Sequence, residues 1–499
     1  MRKDFARQQR LDCSAIAAVE LNFECRDEIV PILRALQEIH ARPTLRDDVL
    51  KLIEQDVLRD DDGSQLQSDT GREGLSFWEI LVLSSVRLGC NLDYDKLQNL
   101  AENHRNLRHI MGVGDWEQQA RLPNAKSDLE WKRIRDNVCL IQPSTIEKIN
   151  HLVVVAGHKL VPAAARTARA DSFVIETNIH WPTENSLLID GWHQIYKHAL
   201  PLIERFPCDG WRQGQHLLRR AKLTSRNIDR IAAKKGPNYM SRLRPLYQHL
   251  LKQTVHLLQR TEALCSTVQK HNRVTSIEKL AGLRSIMQLT QQVLSTAQRR
   301  VMQGESVPNA DKIFSLFEPH TQLYKRGKAG KPLQFGRQLL VYEDGAGFIT
   351  HYHLLPRDVG EKDVVVEQSR ALQTRLGGAL KELSFDRGFH SPENQTALAA
   401  IVEHVCLPKP GVKQAAAQAS EADETFHAAQ QRHSGVESAI GALQSGNGCQ
   451  RCRDRSELGL ERYISLAVLG RNLQVFGKLL IASEAPATLA GQSRRKAAA

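Results

Sequence analysis

The chain has 499 residues, a formal net charge of +12 and 41% hydrophobic residues, which is enough material for two to four domains with buried cores. Residues 1–10 are charged and lack the apolar stretch of a signal peptide, and no run of about 20 apolar residues predicts a membrane-spanning helix. We therefore expect a soluble, cytoplasmic protein with no membrane partner.

The cysteine pattern argues against a secreted disulfide scaffold. The nine cysteines are scattered and odd in number, which indicates reduced thiols. Cys449 and Cys452 form a lone CxxC pair, and without a second pair this spacing is only a weak indication of a metal site.

The positive charge is concentrated in one segment. Residues 191–300 hold 20 Lys or Arg against 5 Asp or Glu, a balance of +15, which leaves 12 − 15 = −3 for the rest of the chain. A segment this basic favours nucleic acid as a partner, and counterion release makes such binding sensitive to salt.

Residues 1–70 predict an N-terminal helical segment with short helices at about 26–40 and 44–58. A polar linker is expected from about residue 60 to Gly74.

Residues 71–165 predict a helical region. Ser76 and Glu79 have the spacing of a capping box, which opens a helix that ends near Gly89. Three short helices with tight turns suit a helix-turn-helix unit, and a helical subdomain that only packs fits the same pattern. The other helices are predicted at about 94–100, 107–111, 127–140 and 144–160, the last capped by Ser144.

Apolar alternation predicts the first strand at residues 170–180, with Asp171 at its start. The residues that share one face of this strand are Phe173, Ile175, Thr177 and Ile179. Residues 187–190 predict a short extended segment.

Residues 191–332 predict a basic helical insertion built from two long antiparallel helices joined near residues 271–272. The insertion either contacts DNA or forms a dimer, or it is a solvated coiled coil. The apolar seams are Leu243, Leu250, Leu257 and Leu264, and Leu280, Leu283, Met287, Leu294 and Val301. The basic residues expected on the outside are Arg219, Arg220, Lys234, Lys235, Arg242, Arg244, Arg299 and Arg300.

The sheet is predicted to resume with a β-hairpin over residues 333–355. The order of strand, hairpin, helix, strand, helix, strand and helix is that of the ribonuclease H-like fold, an α/β core with a mixed sheet. The later elements are a helix at about 361–378, a strand ending at Phe385, a helix at 392–401, a strand at 402–407, a linker at 413–424, a helix at 433–443 and a buried helix at 461–480.

Three acidic residues stand on separate elements. Asp386 follows an apolar run and precedes a turn at Gly388, which places it at the tip of a strand, although a turn residue that caps a helix fits the same pattern. Glu437 lies beside a helical apolar stripe, and Asp171 lies on the first strand. Carboxylates from different elements suit a divalent metal ion, because they are hard oxygen ligands that leave positions open for water and phosphate.

Four separated motifs carry a family resemblance over roughly residues 70–480. They are DSFVIETNIHWPTENSLL (171–188), SLFEPHT (315–321) with RGK (326–328), FDRGFHSPEN (385–394) and RHSGVESAI (432–440). In this order the motifs resemble the DDE transposases of bacterial insertion sequences, in particular the ISNCY-like group.

The resemblance implies a transposase that binds the ends of an insertion sequence, cleaves phosphodiester bonds and joins the 3′-hydroxyl to target DNA. It implies two Mg²⁺ ions, with Mn²⁺ as a substitute, held by Asp171, Asp386 and Glu437, and a homodimer in the working complex. The helical region ahead of the core is then expected to bind the element's ends. The implied domains are 1–70, an N-terminal helical segment; 71–165, DNA-binding; 166–190 with 333–480, the catalytic core; 191–332, the insertion; and 481–499, a disordered tail.

The sequence departs from many relatives around the third acid. Those relatives carry Arg four residues before the Glu and Lys seven residues after it, whereas this chain has His433 and Gln444. The candidates for the phosphate contacts are then Arg432, Arg451, Arg453 and Arg455.

Two alternatives to the transposase stay open: an inactive or domesticated copy that only binds DNA, and a structure-dependent nuclease without strand joining. The acids that compete with Asp171 for the metal are Glu176, Glu184 and Asp190. Because strand side chains alternate, Glu176, five residues from Asp171, is expected to face away from it.

Overall fold

The computed structural model describes residues 2–5, 11–59, 64, 74–116, 129–206, 208–234, 236–271, 274–325, 332–411, 421 and 423–484. Most of the predicted linkers at 60–74 and 413–424, the RGK motif, Lys235 and residues 485–499 of the predicted tail lie outside the described residues. Residues 481–484, which were also assigned to the tail, are helical. The chain divides into two compact units. We call Met1–Glu176 with Arg337–Ala499 the core unit, and Thr177–Gly336 the inserted unit.

Helices make up most of the core unit. Its helices before the first strand are α1 (Ile29–Ala41), α2 (Pro43–Val57), α3 (Phe77–Gly89), α4 (Tyr94–Asn103), α5 (Arg105–Met111), α6 (Trp131–Val138) and α7 (Pro143–His158). The first strand is β1 (Thr167–Glu176).

The inserted unit contains four helices among its described residues, followed by one strand and the first residues of another. Its elements are α8 (Glu184–Ile203), α9 (Gly214–Lys234), α10 (Tyr239–Lys270), α11 (Val274–Ala297) and β2 (Gln322–Lys325), with the start of β3 (Leu333–Asp344).

The remaining elements complete the core unit. They are β4 (Ile349–Leu354), α12 (Glu361–Arg375), β5 (Glu382–Phe385), α13 (Pro392–Ala399), β6 (His404–Cys406), α14 (Glu424–His433), α15 (Gly435–Gly441) and α16 (Glu457–Glu484).

The described strands form one mixed sheet in which five strands lie in the order β2-β3-β1-β5-β6 and β4 pairs with β3. β1 runs parallel to β5, and β5 runs parallel to β6. The predicted hairpin is confirmed, because β3 and β4 pair antiparallel with a register shift at Tyr342 and Glu343. The fold is therefore mostly helical with a mixed sheet.

Helix α16 lies at the centre of the core unit and packs against α1, α3, α7 and β4. The sequence predicted a buried helix here, and the structure confirms it. Two glycines permit the close packing: a Cβ on Gly470 would lie 2.5 Å from the amide nitrogen of Gly89, and one on Gly477 would lie 1.8 Å from the carbonyl oxygen of Pro31. Among the described residues α16 is the one helix with the length and mean hydropathy of a membrane span, but 78% of its apolar stretch is buried in the protein.

The group of three helices α3, α4 and α5 was predicted correctly in its elements. Ser76 and Glu79 form the capping box, and Gly112 ends α5 in the left-handed conformation with φ of 82°. Every residue of α3 except Glu79 is buried. α3 is therefore a core helix, and the DNA-binding role of this group of helices stays a prediction.

The inserted unit confirms the two predicted long helices. α10 and α11 are antiparallel, since Arg284 donates to Gln269 at 2.6 Å and the sulfur atoms of Cys265 and Met287 lie 3.8 Å apart. The four leucines of the first seam are buried. The prediction of only two helices was incomplete, because α8 and α9 belong to the same apolar cluster.

Three local predictions were wrong. Residues 187–190 are not extended but helical, because Thr183 caps α8 by accepting the amide of Ser186. Ser144 does not cap α7, since the helix starts one residue earlier with Pro143 in its first turn. β1 starts at Thr167, so that Asp171 lies in the middle of the strand rather than at its start.

Candidate active site

The register of β1 and β5 brings two of the three acids side by side. Ala170 pairs with Phe385 in the parallel ladder, so the next residues, Asp171 and Asp386, occupy neighbouring positions on strands that are about 4.8 Å apart. The backbone of Asp386 is still extended, with φ of −80° and ψ of 177°. Because Ala170 and Phe385 share one apolar cluster, alternation directs Asp171 and Asp386 to the opposite face of the sheet.

Each of these carboxylates accepts a backbone N–H from the chain that follows it. Gly388 donates to Asp386 Oδ1 at 2.8 Å, and Ser172 donates to Asp171 Oδ1 at 2.6 Å. Asp386 therefore caps the short turn of 3-10 helix Arg387–Phe389, as the turn alternative predicted. Its predicted place at the tip of β5 is also confirmed.

Helices α14 and α15 cover the face to which these acids point. α14 packs against β1, β5 and β6, and α15 packs against β1. Two side chains anchor α14 to β5: Arg432 donates to both oxygens of Glu382 at 2.8 and 2.7 Å, and His433 Nδ1 lies 3.3 Å from Ser384 Oγ. By alternation, Glu382 and Ser384 lie on the same face of β5 as Asp386. Leu383 and Phe385 lie on the opposite face.

Glu437 stands on the first turn of α15, one helical turn after His433, and is exposed. Val436, Ile440 and Leu443 are buried, as the apolar stripe predicted. The candidate third acid is thus held by a helix whose apolar side packs on the sheet.

His433 lies within electrostatic reach of both Asp386 and Glu437. Burial lowers the pKa of His433, Arg169 lowers it further, and Asp386 and Glu437 act in the opposite direction. The imidazole is therefore neutral at neutral pH. In the sequence, His433 stands out only as a departure from the relatives. Its spacing of four residues from Glu437 was the one indication that the two side chains lie close together.

Arg169 supports the junction between α14 and α15. It precedes Asp171 by two residues on the same face of β1, donates from Nε to Glu343 at 2.5 Å and donates from Nη1 to the carbonyl oxygen of Arg432 at 2.7 Å. A Cβ on Gly435 would lie 2.1 Å from Arg169 Nη1. A side chain at residue 435 would therefore displace the guanidinium of Arg169 from its present position.

The donor chemistry of the three acids fits Mg²⁺, because all are carboxylates and two are neighbours in register. In the described part of the chain, however, no three His, Cys, Asp or Glu side chains are close enough to form a metal-binding group. The structure therefore brings Asp171, Asp386 and Glu437 to one face of the sheet without gathering their oxygens. Their assignment as metal ligands and catalytic residues stays a prediction.

The competing acids have other surroundings. Glu176 ends β1, with its backbone bonded to Gln450 and Cys452, and alternation places it on the face opposite Asp171. In the inserted unit, Glu184 pairs with Arg300, and Asp190 lies 2.7 Å from His180 Nε2.

The predicted basic residues fall into two groups. Five are exposed on the inserted unit: Arg219, Arg220, Lys234, Arg242 and Arg244. Others are engaged within the protein and have less charge to offer to a ligand. Arg299 pairs with Glu305 and Asp311, Arg300 with Glu184, Arg432 with Glu382, and Arg453 with Asn91 and Tyr463, whereas Arg451 and Arg455 are exposed.

The cysteine predictions agree with the structure. All nine cysteines are free, and Cys449 and Cys452 are buried. Burial raises the pKa of the Cys449 thiol well above its usual range, which keeps it protonated. The CxxC pair is therefore part of the apolar core.

No protein-family model, no curated protein and no solved structure matches the chain. The family resemblance carried by the four motifs stays a prediction.

Proposed function

We propose that the protein is a metal-dependent transposase that cleaves DNA at the ends of an insertion sequence and joins the 3′-hydroxyl to target DNA. The observation that carries the proposal is the parallel register of β1 and β5, which makes Asp171 and Asp386 neighbours on the face covered by the Glu437 helix. Asp386 follows the carboxyl end of β5, where α/β sheets bind ligands, and Asp171 is its neighbour in the middle of β1.

The order of elements supports a ribonuclease H-like core. After β1, the chain continues through the hairpin β3–β4, α12, β5, α13, β6 and the helices α14 and α15, with a helical insertion between β1 and the hairpin. This is the order that the sequence analysis expected for that fold. β2 is additional and pairs with the first four residues of β3.

The residues of the site have distinct roles in this proposal. Asp171, Asp386 and Glu437 would hold Mg²⁺ or Mn²⁺, which supplies activation of a water nucleophile and stabilisation of charge on the phosphate. Arg169 bonds β1 to the chain just ahead of the Glu437 helix, and Gly435 leaves room for its guanidinium. The exposed arginines and lysines of the inserted unit bind phosphates of the DNA backbone.

The proposal is tested with the purified full chain, Mg²⁺, a labelled duplex carrying the DNA that flanks its coding sequence, and a supercoiled target plasmid. We expect Mg²⁺-dependent nicks that leave a 3′-hydroxyl at the element ends, followed by joined products. Binding without cleavage favours the domesticated DNA-binding alternative. Cleavage of branched DNA irrespective of sequence, without joining, favours the nuclease.

The exposed basic residues of the inserted unit give a prediction on DNA binding. The double variant Arg219→Gln with Arg220→Gln is expected to weaken binding to a mixed-sequence duplex and to reduce the slope of log K against log salt by about 2, about 1 for each lost phosphate contact. The slope is measured by fluorescence anisotropy over a salt series.

The matched control removes the same charge from the core unit, as Lys51→Gln with Lys478→Gln, two exposed lysines on α2 and α16 that lie outside the predicted DNA-binding region. Its slope should equal that of the unchanged protein. Equal slopes for all three proteins would show that the insertion is a solvated structural element.

A further inference from the structure

Glu361, the first residue of α12, lies between the strand of Asp171 and the turn of Asp386, and nothing in the proposed reaction uses it. Its Oε2 accepts a hydrogen bond from Ser172 Oγ and another from Gln338 Nε2, the latter at 2.8 Å. Gln338 Nε2 also donates to Ser172 Oγ at 2.7 Å. Glu361 thereby joins α12 to β1, next to Asp171, and to β3.

The other oxygen of Glu361 lies against the Asp386 turn. A Cβ on Gly388 would be 2.8 Å from Glu361 Oε1 and 3.1 Å from Asp386 Oδ1. Gly388 therefore fits between the two carboxylates, and its N–H donates to Asp386. One carboxylate thus bonds to the residue after Asp171 and lies beside Gly388, whose N–H donates to Asp386.

These contacts are costly to lose. Ser172 is 6% exposed, and a buried hydroxyl without a partner costs about 1–3 kcal/mol. The carboxylate is also well placed at the N-terminus of a 15-residue helix, where the helix dipole favours negative charge. The arrangement is therefore stable without a ligand.

We propose that Glu361 is a positioning residue that fixes the backbone of Asp171 relative to the Asp386 turn. This inference rests on the proposed function, since it assumes that these two carboxylates bind the same metal ions. Without Glu361, Ser172 and Gln338 lose the acceptor that they share. Gly388 loses the carboxylate that lies beside it. The two acids then keep their identity but lose their fixed separation, which weakens binding of the metal rather than the chemistry itself.

The test uses Glu361→Ala, Glu361→Gln and, as a matched control, Glu367→Ala, which changes an exposed glutamate on the same helix. Mn²⁺ binding to the full chain is measured by calorimetry without DNA, and cleavage is measured over a Mg²⁺ series. Residues that orient metal ligands typically contribute about 10–100-fold in metal affinity. We expect Glu361→Ala to lose that factor and to regain its cleavage rate at high Mg²⁺. The variant should unfold at a lower temperature than the control, because it loses the contacts above, but stay folded at the assay temperature.

Glu361→Gln distinguishes positioning from direct ligation. Its amide oxygen still accepts from Ser172, so most of the affinity should return. A Gln variant as weak as the Ala variant overturns the positioning role, and so does an Ala variant that binds Mn²⁺ like the control. If the unchanged protein binds no Mn²⁺, the proposed function fails together with this inference, whereas a loss of affinity confined to Glu361→Ala in a protein that never cleaves DNA contradicts the function alone.

Discussion

Asp171→Asn, Asp386→Asn and Glu437→Gln are each expected to lower Mg²⁺-dependent cleavage of end DNA to about one thousandth of the original rate or less, about 4 kcal/mol of lost transition-state stabilisation. Each change removes a negative charge that a divalent ion needs and keeps the size of the side chain. Asp386→Asn retains an oxygen for the N–H of Gly388, and Glu437 is exposed, so the fold should persist. Gel assays of cleavage and anisotropy measurements of DNA binding check both parts.

Glu176→Gln and Asp190→Asn are the controls, since Glu176 lies on the opposite face of β1 and Asp190 is engaged with His180. Both should cleave like the unchanged protein. A protein in which Glu176→Gln abolishes cleavage and Asp171→Asn does not would contradict the assignment of the first ligand. Cleavage that survives all three acid changes would remove the site altogether.

Gly477→Ala is expected to destabilise the core unit. The added methyl would lie 1.8 Å from the carbonyl oxygen of Pro31, a backbone atom that can retreat only if α1 moves away from α16. Overpacking of this kind costs about 1–3 kcal/mol and occasionally more. Because two units unfold in this chain, the measurement is the denaturant midpoint of the transition that removes the tertiary signal of the core unit.

Gly441→Ala is the matched control, because Gly441 is an exposed helical glycine with nothing within 4 Å of an added Cβ. Alanine is favoured over glycine in helices by about 0.5–1 kcal/mol, so this variant should unfold at an equal or higher denaturant concentration. Equal midpoints for Gly477→Ala and Gly441→Ala would mean that α1 and α16 pack less closely than the structure shows.

Many elements were predictable because their causes lie within a few residues. Ser76 and Glu79 form their capping box, and Ser391 with Pro392 starts α13, as local rules predict. The same locality explains the errors. The segment at 187–190 is helical because Thr183 caps it together with Ser186. A capping box usually has Glu or Gln at the third position, so Ser186 gives only a weak signal in the sequence.

The start of β1 was missed for a different reason. Residues 167–170 alternate Thr and Arg with alanine, which has a low strand preference, and they are extended because Thr167 to Ala170 pair with Glu382 to Phe385. A pairing partner more than 200 positions away leaves no mark on local periodicity. The order of the strands in the sheet likewise depends on long-range packing, and so does the number of helices that pack together in the inserted unit.

In the candidate site, the acids could be predicted and their supports could not. Asp171, Asp386 and Glu437 stand in recognisable motifs, and alternation along β1 predicts that Glu176 faces away from Asp171. Arg169 acts through Glu343, which is 174 positions away, and His433 acts through Ser384, which is 49 positions away. Such pairs become visible only when the sheet has formed.

The place of α16 in the chain has a consequence for synthesis. Glu457 follows Glu176 by 457 − 176 = 281 residues, and the whole inserted unit lies between them. At typical rates of translation, about 5–20 residues per second, roughly 15–55 s pass before α16 emerges to cover α1, α3 and α7. During that interval the apolar faces of the first helices are exposed to chaperones and proteases. The strand of Asp171 is likewise synthesised well before the helix that carries Glu437.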